Sequence, residues 1–186
     1  MISDAGRYAN GVTTGGIRIA VLSTEQAEAV IGQLAELLID AVASGASIGF
    51  MPPLHEREAI EYWQGVFAAM REGSRVLLAA VENERIEGSV QLALETRANG
   101  NHRAEAVKLL VHRRARRRGL ARRLMAEVEV AASRFGRTLL VMDTRKGGEA
   151  EKLCESLGYV RYGEVPEYAR SGNGALHTTV FFYRQL

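Results

Sequence analysis

Residues 116–121 read Arg-Arg-Arg-Gly-Leu-Ala and combine residue types that suit phosphate binding. They lie between a strand-like run at 106–111 and a helix-like run that begins at Leu120. Gly119 permits the backbone angles of a tight turn and lets a ligand approach the main chain. The first N–H groups of the helix have no partner inside it, and its dipole favours negative charge. Since arginine adds forked donors that match phosphate oxygens, the stretch predicts a pyrophosphate cradle.

The same region also suits a less specific role, because seven arginines fall between Arg113 and Arg123. Such a run is typical of a solvated surface or of a patch that binds a polyanion such as nucleic acid. The formal net charge of the whole chain is only +2, so its basicity is local. The position of the run between a strand and a helix favours the cradle.

The 186 residues, 47% of them hydrophobic and 25% charged, are typical of one globular domain. A single cysteine, Cys154, leaves no internal disulfide and no cysteine cluster for a metal. His55, His102 and His112 lack metal-ligand spacing, so we expect no metal. Since no apolar run approaches the roughly 20 residues of a membrane span, we expect a cytoplasmic protein with no membrane partner. The polar, glycine-rich residues 1–16 predict a flexible tail.

Hydrophobic spacing predicts one domain over residues 17–186. Ser23 and Gln26 match a capping box that opens the first helix, and residues 82–85 suit a hairpin turn between two strands. The element order β-α-α-β-β-β-α-β-α-β-β implies a mixed α/β sheet covered on both faces. The predicted elements are strands at 17–22, 75–82, 85–95, 103–111, 138–143, 160–165 and 178–183, and helices at about 23–44, 55–71, 120–135 and 149–157.

With these elements in place, the chain resembles the GNAT N-acetyltransferase superfamily over about residues 17–186. The turn from Arg116 to Ala121 is similar to the superfamily's acetyl-CoA pyrophosphate motif. The helix that ends at Leu157-Gly158-Tyr159 is similar to its second cofactor motif. A closer resemblance, to the tabtoxin resistance protein subgroup, is carried by residues 44–51, 103–105, 108–109, 139–140, 143–144 and 163–186.

This resemblance implies an α/β (α+β) fold with a mixed, mostly antiparallel sheet of about seven strands and helices on both faces. The strand near 105–111 should splay from the strand near 138–143, and acetyl-CoA should enter that gap. Its pantetheine is expected on the backbone of Leu109, Leu110 and Val111, with donors near Leu110 polarising the thioester carbonyl. Its pyrophosphate is expected on the N–H groups of Arg116, Arg117, Arg118, Gly119, Leu120, Ala121 and Arg122.

Acetyl transfer needs a neutral amine, and Glu105 and Asp143 are the candidate bases. An α-amine has a pKa near 8, so neutralising it at pH 7 costs about 1.4 kcal/mol, which a modest base can supply. Alternatively, Glu105 pairs at the surface with Arg103 or Arg97, and Asp143 caps the loop that follows it. The carboxylates proposed as catalytic in the subgroup align with Glu105 and Asp143, which favours the functional interpretation.

Cys154 is the departure from the family. Many relatives have a tyrosine four residues before the position of Gly158, and its phenol is thought to protonate the departing thiolate. A thiol has a suitable ordinary pKa, near 8.5, but is a weak donor and reaches less far. Cys154 is therefore either the acid or a small apolar helix residue, in which case Tyr159, Tyr168 or water supplies the proton.

Three further residues are candidates for contacting the acceptor: Phe50, Tyr168 and His177. Phe50 could form a pocket wall or pack in the core, and His177 could contact substrate or bond backbone at a strand end. The overall prediction is an N-acetyltransferase that acts on a small amine. We expect it to be monomeric or homodimeric and to have no nucleic-acid partner. That amine is amino-acid-like, or a toxin such as a tabtoxinine-type β-lactam, which would confer resistance. The alternatives are acetylation of a peptide or protein amine, and a non-catalytic module that binds acyl-CoA or a polyanion.

Overall fold

The computed structural model describes residues 11–14 and 16–186, which form one sheet flanked by helices. The strands are β1 Gly11–Thr14, β2 Ile17–Leu22, β3 Arg75–Glu82, β4 Arg85–Leu94, β5 Arg103–Val111, β6 Leu139–Arg145, β7 Val160–Arg170 and β8 Leu176–Gln185. The helices are α1 Thr24–Ala29, α2 Ile31–Ala43, α3 Glu56–Arg71, α4 Leu120–Arg134 and α5 Glu149–Ser156, with a short 3-10 helix at Arg113–Ala115.

The sheet has the order β1-β2-β3-β4-β5-β6-β8-β7. All neighbouring strands are antiparallel except β5 and β6, which are parallel, so the prediction of a mixed, mostly antiparallel sheet is confirmed. Eight strands are present rather than about seven. The additional strand is β1, which pairs with β2 although residues 11–14 belong to the predicted flexible tail. Of the other tail residues, Gly16 is described, whereas residues 1–10 and 15 lie outside the described part of the chain.

Helices cover both faces of the sheet, as predicted. On one face α4 and α5 pack through Leu120, Leu124 and Cys154 against β4, β5, β6 and β8. On the other, α1, α2 and α3 pack against β2, β3 and β4 around Leu34, Leu38 and a fully buried Trp63.

The first predicted helix is divided in two at Val30, whose φ of −119° and ψ of 20° interrupt the helical backbone. The predicted capping box is confirmed at its start. The Gln26 N–H donates to Ser23 Oγ (3.2 Å), and the Ser23 N–H donates to Gln26 Oε1 (2.8 Å). Ala27 and Leu34, on either side of the break, are both fully buried. Thus the apolar spacing was informative about burial but not about the break.

The two terminal strands are longer than predicted, because β7 continues to Arg170 and β8 begins at Leu176. No helix in the described part of the chain is long and apolar enough to cross a membrane. Over the same residues, no group of three or more His, Cys, Asp or Glu side chains is arranged to hold a metal ion.

Two irregularities of β5 determine the shape of the centre of the sheet. Its register with β4 shifts between the pairs Ser89–Leu110 and Gln91–Val107, so β5 contains a bulge, and Lys108 within it has a positive φ of 52°. Its parallel pairing with β6 covers only three residue pairs, of which Glu105–Val141 is the last. Beyond that pair the two strands separate, which confirms the predicted splay.

Gly88 on β4 should be required for the close approach of β4 and β5 beside the bulge. A Cβ at this position would lie 2.8 Å from the Leu110 carbonyl oxygen. Because backbone must move to relieve that contact, we expect Gly88→Ala to destabilise the fold by about 1–3 kcal/mol, measured by urea unfolding. Gly65→Ala in α3 is the control, since its Cβ meets nothing within 4 Å and the change favours helix. Equal stability changes in the two variants would contradict this account.

Candidate active site

The gap between β5 and β6 begins at Glu105 and Val141, and it brings the two predicted carboxylates together. Glu105 lies beside Val141 in register. Asp143 lies two residues further along β6, and side chains two apart on a strand point to the same face. Glu105 and Asp143 therefore share one face of the sheet at the edge of the gap, as the sequence predicted.

The backbone of residues 116–122, the phosphate cradle, has the form expected of an anion site. Arg117 (φ 62°) and Gly119 (φ 76°) have positive φ, whereas Arg116 before them has a φ of −66°. Alternating signs of φ turn successive N–H groups toward one concave side. The Arg123 N–H donates to the Gly119 carbonyl at the start of α4. The N–H groups of the three helical residues before Arg123 therefore have no acceptor inside the helix.

Gly119 is required in this turn for its backbone conformation and not for space. A Cβ built on Gly119 would meet no protein atom within 4 Å. Its left-handed φ, however, costs an ordinary L-residue about 1–2 kcal/mol. Arg117 occupies the same region of φ without being glycine.

Three of the seven arginine side chains form close ion pairs with acidic groups of the same chain. Arg113 binds Asp40, and Arg114 binds Glu87 and Glu36, each at 2.8 Å. Arg118 Nη1 and Nη2 donate to the two carboxylate oxygens of Glu82 at 2.8 and 2.7 Å. These carboxylates already neutralise much of the charge that suggested a polyanion patch.

The other arginines of the run differ in their surroundings. Arg116 Nε donates to the Val111 carbonyl (3.1 Å), which connects the cradle to the end of β5. Arg122 Nη2 donates to Ser156 Oγ (2.7 Å) on α5, and Arg123 Nη2 to the Ile17 carbonyl (2.9 Å). Among the described residues, Arg117 takes part in no ion pair within 4 Å. The structure thus uses the side chains mainly to hold the turn and leaves the backbone N–H groups to face a ligand.

Asp40 on α2 is a central partner that the sequence analysis missed. It is 8% exposed, and it accepts a 3.0 Å hydrogen bond from the Arg113 N–H in addition to the guanidinium contact. Burial alone would raise the pKa of Asp40, but these two hydrogen bonds outweigh burial and hold the pKa below its ordinary value. The only sequence signal was the i, i+4 spacing of Glu36 and Asp40 on one helix face.

The alternative roles considered for Glu105 and Asp143 do not match the structure. Arg103 Nη2 donates to Glu95 (2.7 Å), and Arg97 also binds Glu95, so neither pairs with Glu105. The loop after β6 is capped by Glu151, which accepts from the Gly147 N–H, and not by Asp143.

Burial affects the protonation of both carboxylates. Burial, together with the neighbouring charge of Asp143, raises the pKa of the half-buried Glu105 above its ordinary value. Asp143 keeps part of its side chain in contact with solvent. The protein atoms around it nevertheless raise its pKa, while the charge of Lys108 opposes that rise. Carboxyls with raised pKa at a cleft are suited to accepting a proton near neutral pH.

Lys108, which the sequence analysis did not assign to the site, completes the charges at the gap. A Cβ at Gly49 would lie 3.9 Å from Lys108 Nζ, so the ammonium group lies beneath the loop between α2 and α3. Burial lowers the pKa of Lys108, and the charge of Asp143 partly offsets this effect. The sequence offered no sign of the bulge that orients this residue.

Cys154 lies in the core between α5 and β6, 1% exposed, with its sulfur 3.5 Å from Met142 Sδ. Burial raises the pKa of the thiol to about 12. Tyr159 is also buried, and its hydroxyl donates to Glu129 Oε1 (3.0 Å). Tyr168 is 57% exposed, and its ring stacks edge-on with Phe181, the register partner of Asp143. Of the two tyrosines considered as proton donors, Tyr159 is therefore buried and bonded, whereas Tyr168 is exposed.

Phe50 and His177, the two other candidates for contacting the acceptor, lie in segments that touch each other through Pro52 and Gly172. The Phe50 ring packs edge-on against Tyr62 (5.2 Å between centroids), whose hydroxyl accepts from Gln91 Nε2 (2.8 Å). His177 Nε2 lies 2.8 Å from Ser171 Oγ within the β7–β8 hairpin, so it bonds a side chain and not the backbone. At Gly172 the hairpin turn contacts Pro52 of the Phe50 loop. Phe50 thus packs against the core through Tyr62, and His177 bonds within the hairpin that contacts the Phe50 loop.

Comparison with known proteins supports this geometry. Residues 72–161 match the model of the acetyltransferase (GNAT) domain. An uncharacterized N-acetyltransferase in the hisH-hisA intergenic region of Azospirillum brasilense is 36% identical over 110 residues, which cover 58% of this chain and 63% of that relative's length.

Solved structures agree on the fold. Salmonella typhimurium yncA, determined with its cofactor acetyl-CoA, has a TM-score of 0.75 at 20% identity over 92% of this chain and 95% of its own. An N-acetyltransferase from Staphylococcus aureus Mu50 has a TM-score of 0.75 at 17% identity over 91% and 98%. The fold is therefore that of the GNAT acetyltransferases, and the domain match supports an enzyme of that type.

The raised pKa of Glu105 predicts that its charge destabilises the fold at neutral pH. A carboxyl with a raised folded-state pKa contributes stability below its unfolded pKa and loses it as pH rises through the folded value. Glu105→Gln should therefore be more stable than the parent at pH 7, with the difference vanishing below about pH 4. Thermal unfolding midpoints across this range measure it.

Glu95 is the matched control of opposite sign, because bonds from Arg97 and Arg103 hold the pKa of Glu95 well below its ordinary value. Its contribution is present above the unfolded pKa and is lost only on acidification. Glu95→Gln should therefore lower the midpoint at pH 7. If both variants move the midpoint in the same direction at pH 7, the electrostatic description of Glu105 is wrong.

Proposed function

We propose that this chain transfers the acetyl group of acetyl-CoA directly to the amine of a small, amino-acid-like molecule. The observation that carries the proposal is the alignment of two features across one gap. The cradle lies at the start of α4, and the carboxylates of Glu105 and Asp143 lie where β5 and β6 separate. The domain match at residues 72–161 supports the reaction class.

Acetyl-CoA fits the chain's own hydrogen-bonding groups. Past Glu105, the edge of β5 that faces β6 has no strand partner within the described residues, so its backbone is available to an extended amide-containing ligand. Leu109, Leu110 and Val111 form this edge, and a donor near Leu110 would polarise the thioester carbonyl. The N–H groups of Gly119, Leu120, Ala121 and Arg122, with their neighbours Arg116, Arg117 and Arg118, would hold the pyrophosphate.

Glu105 and Asp143 would prepare the acceptor by taking a proton from its ammonium group, directly or through water. An α-amine requires only about 1.4 kcal/mol for this step at pH 7, whereas a lysine-like amine requires about 4–5 kcal/mol. A carboxylate whose pKa is raised by burial is a better base than an ordinary one. This comparison favours an α-amine over a lysine-like amine as acceptor.

The leaving thiolate also needs a proton, and Cys154 is poorly suited to provide it. Its thiol is buried against Met142, with a pKa raised to about 12. Tyr168 is exposed and packs on Phe181, the register partner of Asp143, so Tyr168 or water is the better candidate donor. The residue replacing the family's tyrosine therefore serves as packing in this proposal.

The substrate is the finer part of the proposal. Resemblance to the tabtoxin resistance subgroup, carried by segments such as residues 44–51 and 103–105, supports a tabtoxinine-type β-lactam or a related toxin. A polyanion-binding module is disfavoured, because Asp40, Glu36, Glu82 and Glu87 already bind three of the arginines. Peptide amines are a competing outcome of an acceptor screen.

Acetyl-CoA should raise the thermal unfolding midpoint, because a ligand at a hundredfold excess over Kd stabilises the native state by about 2.7 kcal/mol. Absence of a shift, alongside salt-sensitive DNA binding, would establish the polyanion module instead.

Gly119→Ala should weaken acetyl-CoA binding roughly tenfold, since the left-handed turn disfavours a side chain by about 1–2 kcal/mol. Gly136→Ala is the control: it has the same left-handed φ and open Cβ space, but follows the far end of α4.

Cys154→Ala should retain the turnover number, because it replaces one small buried side chain with another. The substitution should lower only the free energy of unfolding. Glu105→Gln should instead lower turnover by about 10²–10⁴-fold and remove the acidic limb of the pH profile. Both are measured by release of free CoA thiol in a screen of amines. A folded Cys154→Ala protein that binds acetyl-CoA normally but has lost turnover would make the thiol the acid.

A further inference from the structure

Four charged side chains, two of each sign, surround the acceptor side of the gap: Arg75, Glu105, Lys108 and Asp143. Arg75, Ala93, Glu105 and Val141 stand in one row across β3, β4, β5 and β6. Because Ala93 is small, the long Arg75 side chain has room above it. Arg75, Ala93, Glu105 and Val141 all line a recess of about 360 Å³. Asp143 lies two residues beyond Val141 on β6, and Lys108 lies in the β5 bulge beyond Glu105.

These four charges do not neutralise one another by direct contact. Among the residues that the structure describes, none of them forms an ion pair within 4 Å. Arg97 and Arg103, at the edge of the same recess, both bind Glu95. Charges that are partly removed from water without a bonded partner are costly, and such groups cluster where a ligand supplies the partner.

Lys108 is the least expected of the four. It is not glycine, yet it adopts a φ of 52° within the β5 bulge, a conformation that L-residues rarely occupy. The bulge directs the ammonium group beneath Gly49. The charge of Arg75 contributes, after burial, to lowering the pKa of Lys108. A lysine held in a rare backbone conformation beside a second cation is typical of a functional site.

We propose that the acceptor is a zwitterionic amino acid whose carboxylate is bound by Lys108 and Arg75 while its ammonium group faces Glu105 and Asp143. This inference rests on the proposed acetyl transfer and defines its substrate class. The cluster carries no net charge, which suits a ligand with one charge of each sign. An amine without a carboxylate would leave both cations unpaired, whereas a charge-assisted contact satisfies them.

The test compares each amino acid with its own α-carboxamide, which retains the amine and loses the carboxylate charge. The twenty L-amino acids, with buffer blanks, are first screened with acetyl-CoA by free-thiol release. For each acceptor found, KM and kcat are measured for the acid and for its amide. The variants are Lys108→Met, which keeps an unbranched side chain of similar length, and Arg75→Gln.

The matched controls are Lys152→Met on α5 and Arg57→Gln on α3, since both side chains are exposed and bind only helix neighbours. Lys108→Met should raise KM for the acid by roughly 10–100-fold, the loss expected for one charge-assisted bond, with KM for the amide unchanged. Arg75→Gln should have the same selective effect and provides a second variant if Lys108→Met does not fold. The control variants should retain the parent preference for the acid.

Equal KM values for acid and amide in the parent protein would overturn the inference. So would an equal fall in kcat for both acceptors in Lys108→Met, which would make Lys108 a proton donor. Acetyl-CoA stabilisation without acetylation of any amino acid would also overturn it, while leaving the proposed cosubstrate intact. Absence of both acetyl-CoA stabilisation and amine acetylation would instead reject the proposed function, and the inference with it.

Discussion

The early end of the β5–β6 pairing is the constraint on which the rest of the site depends. Antiparallel pairing satisfies backbone groups along the remainder of the sheet, but the parallel ladder stops after the pair Glu105–Val141. Beyond it, the inner edge of β5 must find hydrogen-bonding partners outside the sheet. The bulge at Lys108 lies immediately after this point and changes which side chains face the gap. The unpaired backbone edge of β5 and the placement of the candidate side chains beside it therefore have one structural origin.

A second layer of interactions fixes the cradle relative to that gap. The buried carboxylate of Asp40 binds Arg113 through both its N–H and its guanidinium group, at the start of the segment that leads from β5 to α4. Arg116 reaches back to the Val111 carbonyl, and Arg118 extends to Glu82 on β3. Each bond ties the turn to a different part of the sheet or to α2. The arginine-rich composition is thus largely structural, although its outcome is a backbone shaped for anions.

Local patterns were sufficient to predict much of this molecule. Hydrophobic periodicity located the strands and helices, and Ser23 with Gln26 located a helix start, because those signals depend on residues close in sequence. The strand β1 was missed because its short, glycine-containing sequence is polar, and its order comes from pairing with β2. The break at Val30 leaves the apolar spacing intact, so periodicity could not reveal it.

The charged residues show where sequence reasoning ends. Glu105 and Asp143 could be predicted to meet, since both follow from strand positions. The partners of the arginines could not: Asp40 and Arg113 are 73 positions apart, and any of 22 acidic residues was available. The orientation of Lys108 depends on a bulge that no residue type in the sequence indicated.

Cys154, at the position where many GNAT relatives have a tyrosine, connects the packing of α5 with the chemistry of the proposed site. On α5 the thiol fills a small space against Met142, where a phenol would require a cavity opening toward the gap. The packing that makes this helix compact is therefore the same packing that removes the proton donor. Under the proposed function, deprotonation of the amine and protonation of the thiolate are assigned to groups on one face of the sheet, because Tyr168 contacts Phe181, the register partner of Asp143, and Asp143 shares a face with Glu105. Glu105 would serve as the base from β5, and Tyr168 on β7 or water would serve as the donor, which leaves α5 a structural role in that proposal.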